Sequence, residues 1–133
     1  MNFITDNLLL ISIAVVSGIA LMLPSLQRRG ARVSQLQATQ YMNQGKTLVL
    51  DVRNPDEFAS GHLPGAKNIP IDELTNRLGE IEKSKSHVVI TVCQSGVRSG
   101  TAVSILNKAG FEQAFSLDGG VAEWKAQSLP TVK

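Results

Sequence analysis

The residues able to do chemistry gather around the single cysteine of this 133-residue chain. Cys93-Gln94-Ser95-Gly96-Val97-Arg98-Ser99 follows at once on the apolar run HVVITV (87–92) and leads into a helix expected from about Arg98 to Ala109, closed by Gly110. In open α/β sheets, sites form at the carboxyl ends of strands, and that is where this order of elements puts the thiol. Gly96 permits backbone angles that other residues avoid, so the short loop can turn its amides inward as an anion-binding nest. The helix N-terminus adds about half a positive charge and Arg98 a whole one. Each feature favours thiolate over thiol, and cysteines so placed fall from a pKa of about 8.5 to roughly 3.5–7.5. The same nest suits a small oxyanion, or a sulfur carried by one. Cys93 therefore reads as a nucleophile. The alternative is an inert cysteine buried at a strand end, and the polar loop, glycine and arginine that follow weigh against it.

Holding such a loop requires a strand before it and a helix after it. The rest of the chain repeats that alternation. Ser34 is a good N-cap for QLQATQYMNQ, and Gly45 a good stop after it. TLVLDV (47–52) reads as a buried strand. Pro55-Asp56-Glu57-Phe58 starts a helical turn, Gly61 and Pro64-Gly65 mark turns, and Lys67-Asn68-Ile69-Pro70 is a short extended piece. Asp72 is expected to cap a helix carrying Leu74, Leu78 and Ile81. A third strand is expected at 115–117, after which Gly119-Gly120 turns tightly into a last helix with Trp124. Strands that are apolar on both faces and alternate with helices predict an α/β fold, a single domain with a central parallel sheet flanked by helices.

Three blocks together resemble the rhodanese family of sulfurtransferase domains, over about residues 33–127. The first is Asp51-Val52-Arg53 with Glu57-Phe58 and the run Gly61 to Pro70. The second is the loop Cys93 to Ser99. The third is Leu117-Asp118-Gly119-Gly120 with Trp124. The resemblance implies a rhodanese-like fold and a two-step reaction. The Cys93 thiolate takes a sulfane sulfur from thiosulfate or a persulfide donor, and the resulting persulfide passes it to a thiol, a persulfide or another thiophile. Gln94, Ser95, Gly96, Val97, Arg98 and Ser99 are then the substrate-binding loop, with Arg98 on the donor's anionic head. No cofactor is implied. Related phosphatases and arsenate reductases enclose five residues between cysteine and arginine. This loop encloses four, which favours sulfur over the bulkier tetrahedral anions. The other reading is a membrane-tethered protein-interaction module, against which an intact Cys93 and Arg98 argue.

Other polar residues have plainer roles. Asp51 and Arg53, at the end of the first long strand, are expected to support the loop rather than form a surface pair. Glu57 is expected to pair with a nearby cation. His62 reads as a turn histidine that satisfies backbone groups, and His87 as an exposed edge. No His, Cys, Asp or Glu cluster has metal-ligand spacing, so no metal is expected. One cysteine excludes an intramolecular disulfide framework.

The ends of the chain differ in character. Asn7 to Gln27 is an uncharged run of 21 residues, NLLLISIAVVSGIALMLPSLQ, long enough as a helix to cross a bilayer. Arg28, Arg29 and Arg32 follow it, and the positive-inside rule places them in the cytoplasm. The segment before the run carries Asp6 and no cation, unlike a signal peptide. The expectation is residues 1–32 as a transmembrane anchor with a basic juxtamembrane segment, and 33–133 as the catalytic domain. That makes a single-pass inner-membrane protein, N-terminus out, with the lipid bilayer and membrane-protein neighbours as further partners. The net charge of +2 is local: +3 from those arginines and −1 from Asp6, the rest being neutral. So it does not point to nucleic acid.

Overall fold

A computed structural model of the chain describes the backbone of residues 3–28 and 31–133, with side chains as far as Gly18 in the first stretch. Two helices come first, α1 (Phe3–Asp6) and α2 (Leu8–Arg28). The described apolar side chains of α2 lie open, Leu9 at 75% and Val16 at 65%. Among the described residues no helix is long and apolar enough to cross a membrane. The expected span 7–27 falls in part on residues whose side chains lie outside the described ones.

Beyond this, β1 (Arg32–Val33), β2 (Thr47–Asp51), β3 (Lys67–Asn68), β4 (Val88–Val92) and β5 (Gln113–Leu117) form one sheet. Its order is β1-β5-β4-β2-β3 and every pair is parallel. The β-branched content of TLVLD and VVITV suits a strand covered on both faces. Period-two alternation then sorts the core. Leu50, Val89 and Ala114 face one apolar cluster, and Val49, Ile90 and Leu117 the other. Full burial of such a side chain contributes about 1.5–3 kcal/mol.

Helices α3 (Gln35–Asn43) and α7 (Gly120–Ala126) supply Ala38, Val121 and Trp124 to the second cluster. Helices α5 (Ile71–Leu74) and α6 (Val97–Lys108), with a 3-10 helix over Thr75–Ser84, supply Leu74, Ile81, Ala102, Val103 and Leu106 to the first. A short α4 (Pro55–Ala59) follows β2. Ser34 caps α3 in both directions: its Oγ accepts from Gln37 N at 3.1 Å, and its N–H donates to Gln37 Oε1 at 3.3 Å.

Several sequence expectations shift. Asp72 does not cap its helix. Pro70 holds the N-cap position and Asp72 lies in the first turn, since a proline has no N–H to leave unpaired at a helix start. The stretch Thr75–Ser84 is 3-10 rather than α, with Gly79 in its middle withholding helical support. Strand β5 begins at Gln113, not 115. Arg32 belongs to the sheet: Arg32 and Val33 register with Ser116 and Leu117, so the boundary drawn after residue 32 cuts an edge strand. A strand of two residues is too short to show a period.

Candidate active site

Strand β4 ends at Val92 and α6 begins at Val97. Between them the chain turns through Gly96, at φ 112°. Only glycine takes that angle without strain, and the turn aims the loop amides at the sulfur. Gly96 N donates to Cys93 Sγ at 2.9 Å, and Ser99 Oγ lies 3.4 Å from it. Cys93 itself is 1% exposed. Burial pushes its thiol pKa up, but hydrogen bonds from the Ser99 side chain and the amides of Ser99, Gly96 and Ser95 outweigh this and hold it below the ordinary value.

The loop carbonyls are pinned from outside. Val121 N donates to Cys93 O at 2.9 Å and Ala122 N to Gln94 O at 3.1 Å. The first turn of α7 thus holds both oxygens away from the sulfur. This close approach explains Gly120, whose Cβ would stand 2.7 Å from Gln94 O and closer still to Cys93 O. The sequence leads one to expect of the two glycines only the turn, which they make at φ 73° and 61°. It does not show that Gly120 is also where α7 touches the loop.

Arg98 does not stand free above the nest. Its Nη1 lies 2.7 Å from Glu57 Oε1 and its Nη2 3.0 Å from Oε2, with both side chains about a third exposed. The Arg98 hydrogen bonds hold the Glu57 carboxyl down to about 2, and a bond from the Asn54 backbone N–H acts in the same direction. Glu57 in turn pushes the Arg98 pKa up. The pair ties α6 to α4, and its mutual neutralisation makes loop amides, rather than a free cation, the main support for the sulfur. Gln94, Ser95 and Val97 are exposed on the loop's outer face, Val97 at 78%.

Behind α4 lies a buried ion pair. Asp51 and Arg53 are 0% and 1% exposed. Arg53 Nε contacts both Asp51 oxygens at 3.0 and 3.1 Å, Nη2 donates to Oδ2 at 2.8 Å, and Nη2 also reaches Gly61 O at 2.7 Å. Asn68 Nδ2 donates to the carbonyls of Asp51 and Arg53, both at 3.0 Å. This network sets the path from β2 into α4, and hence the position of Glu57.

A Rhodanese-like domain family model matches residues 34–127. The chain belongs to the rhodanese-like domain family. Among its relatives, the uncharacterized protein YibN of Escherichia coli is 37% identical over 110 residues, 82% of this chain and 77% of that one. The thiosulfate sulfurtransferase GlpE of Pseudoalteromonas translucida is 30% identical over 94 residues, 71% and 88% of the two chains. The crystal structure of a rhodanese-related protein from Thermoplasma volcanium aligns at a TM-score of 0.67 with 30% identity, covering 77% of this chain and 97% of that one.

Other residues of this rhodanese-like domain lie clear of the sulfur's contacts. His62 stacks on Phe58 with centroids 3.7 Å apart and donates from Nδ1 to Phe58 O at 2.9 Å. His87 is half-buried just ahead of β4, a central strand, and so is not an exposed edge. Trp124 is 2% exposed in the core, its Nε1–H donating to Pro130 O at 2.8 Å. Among the described residues no group of three His, Cys, Asp or Glu side chains is placed to hold a metal. Ser116 sits 2.7 Å from Ser99 Oγ, a placement that no sequence motif announces. A polar residue inside the apolar stretch AFSL was the available signal.

Proposed function

We propose that this protein is a sulfurtransferase that carries sulfane sulfur as a Cys93 persulfide. The observation that carries the reading is a buried sulfur accepting hydrogen bonds from the loop, with a pKa below the ordinary thiol value. The sulfurtransferase name of a relative supports it. In the first step the Cys93 thiolate attacks the terminal sulfur of thiosulfate or of a persulfide. A new S–S bond forms, the donor's S–S bond breaks, and its electron pair leaves on sulfite or on a thiolate. In the second step a thiolate or cyanide attacks the outer sulfur and returns Cys93 as the thiolate. The amides that hold the thiolate also hold the anionic persulfide, so charge is stabilised without reorganising the loop. The four-residue spacing from Cys93 to Arg98 suits sulfur better than a tetrahedral phosphate.

In the same proposal, residues 7–27 anchor the chain in the inner membrane, N-terminus out, with the domain cytoplasmic. The uncharged run and the arginines after it support this. For the catalytic reading, the full chain is expected to make thiocyanate from thiosulfate and cyanide, and Cys93→Ser to fold and make none. Full turnover in Cys93→Ser would remove Cys93 from the reaction.

A further inference from the structure

Two buried hydroxyls stand in line behind the sulfur. Ser99 Oγ is 3.4 Å from Cys93 Sγ, 3.0 Å from Gly96 O and 2.7 Å from Ser116 Oγ. Ser99 is 0% and Ser116 3% exposed. Ser116 comes from β5, where it registers with Thr91 of β4, and Thr91 Oγ1 donates to Ser99 O at 2.9 Å. The sheet thus fixes the Ser99 backbone from one strand and its hydroxyl from the next.

Ser99 has one hydroxyl hydrogen and three acceptors within reach. While Cys93 is a thiol, its S–H donates to Ser99 Oγ and the Ser99 hydrogen goes to Gly96 O. When the thiol proton leaves to solvent, the sulfur becomes the strongest acceptor. The Ser99 hydrogen then turns to Sγ. Gly96 O is not left bare, because Gly100 N donates to it at 3.2 Å. The 2.7 Å contact between the serines then needs the hydrogen of Ser116.

We propose that Ser116 is a positioning residue for Cys93: its hydroxyl donates to Ser99 Oγ and so directs the Ser99 hydrogen onto the sulfur anion. This rests on Cys93 acting as the attacking thiolate. A chain of donors polarises each member, so Ser116 strengthens a bond that it does not itself make. The charged groups around the sulfur are compensated independently of this line. Arg98 is paired with Glu57, and Arg53 with Asp51. On the α7 side, Asp118 and Glu123 are solvent-exposed.

The test is the pH dependence of Cys93 alkylation by iodoacetamide in the full chain, a readout that needs no sulfur transfer. Ser116→Ala is expected to raise the apparent thiol pKa by about half a unit, roughly threefold less thiolate below it. Ser99→Ala is expected to raise it further, and the double variant to match Ser99→Ala alone, since Ser116 acts only through Ser99. Ser116→Thr keeps the hydroxyl and is expected to restore the wild-type profile. If Ser116→Ala does not fold, Ser116→Thr against Ser116→Val makes the same comparison at nearly equal volume. An unchanged profile in Ser116→Ala or Ser116→Val would overturn the proposal, as would an equal shift in the Ser99→Ala background. Loss of thiocyanate formation with the alkylation shifts intact would instead count against the sulfurtransferase reading alone.

Discussion

At the scale of single residues, the site is a matter of which hydrogen bonds a charge receives. Cys93 and Arg98 were legible in the sequence, because a thiol after an apolar strand and a cation after a glycine turn are local patterns. Which cation Glu57 meets, and the serine behind Ser99, were not. Glu57 is 41 residues from Arg98 and Ser116 is 17 from Ser99, and no local period links them. The pairing changes what Arg98 is expected to do. Its Nη atoms are bidentate on Glu57, so it braces the loop against α4 before it meets any donor. Glu57 falls from 4.5 to about 2 on folding. Its contribution is therefore full above pH 4.5 and lost as pH falls toward 2. Glu57→Gln should cost about 0.5–1 kcal/mol at pH 7, the scale of a partly exposed pair, and the difference from wild type should close near pH 2. Urea midpoints at the two pH values measure this. A gap that stays constant would mean the carboxylate charge is not what Arg98 responds to.

At the scale of elements, the loop is shaped by what presses on it from behind. The strand-helix alternation, the parallel sheet and the capping of α3 all follow from short-range patterns in the sequence. Strand β1 and the clamp of α7 on the loop do not. One is two residues long, and the other is a close approach between backbones far apart in the chain, Gly120 against Cys93 and Gln94. That approach makes a sharp comparison of two glycines. Gly65 has φ 75° with nothing within 4 Å of an added Cβ, whereas at Gly120 the Cβ would press into Cys93 O and meet Gln94 O at 2.7 Å. Gly65→Ala should cost about 1 kcal/mol from backbone strain alone and leave turnover unchanged. Gly120→Ala should cost about 2–4 kcal/mol and reduce turnover at least tenfold, by displacing the carbonyls that α7 pins. Thermal unfolding and steady-state rates separate the two effects. Equal costs at both positions would mean that the loop yields freely and that α7 does not set its shape.

At the scale of the whole molecule, two stretches of different character share one chain. The domain holds its apolar residues in two clusters about a parallel sheet, while Leu8 to Val16 lie open. A mean hydropathy of +0.05 is the average of the two. With protease added to sealed inside-out vesicles, digestion of the domain from the outside is expected if residues 7–27 anchor it with the N-terminus out. Protection there would reverse the orientation, and release of the chain by alkaline carbonate would contradict anchoring altogether. A molecule that carries sulfur between two half-reactions must gain mass after the first, and the mass of the intact chain records it. After incubation with thiosulfate and removal of excess donor, the chain should be heavier by about 32 Da, one sulfur atom. The addition should map to Cys93 and vanish on adding cyanide. A folded chain that shows no such gain with thiosulfate or with a persulfide donor would mean that Cys93 does not carry sulfane sulfur.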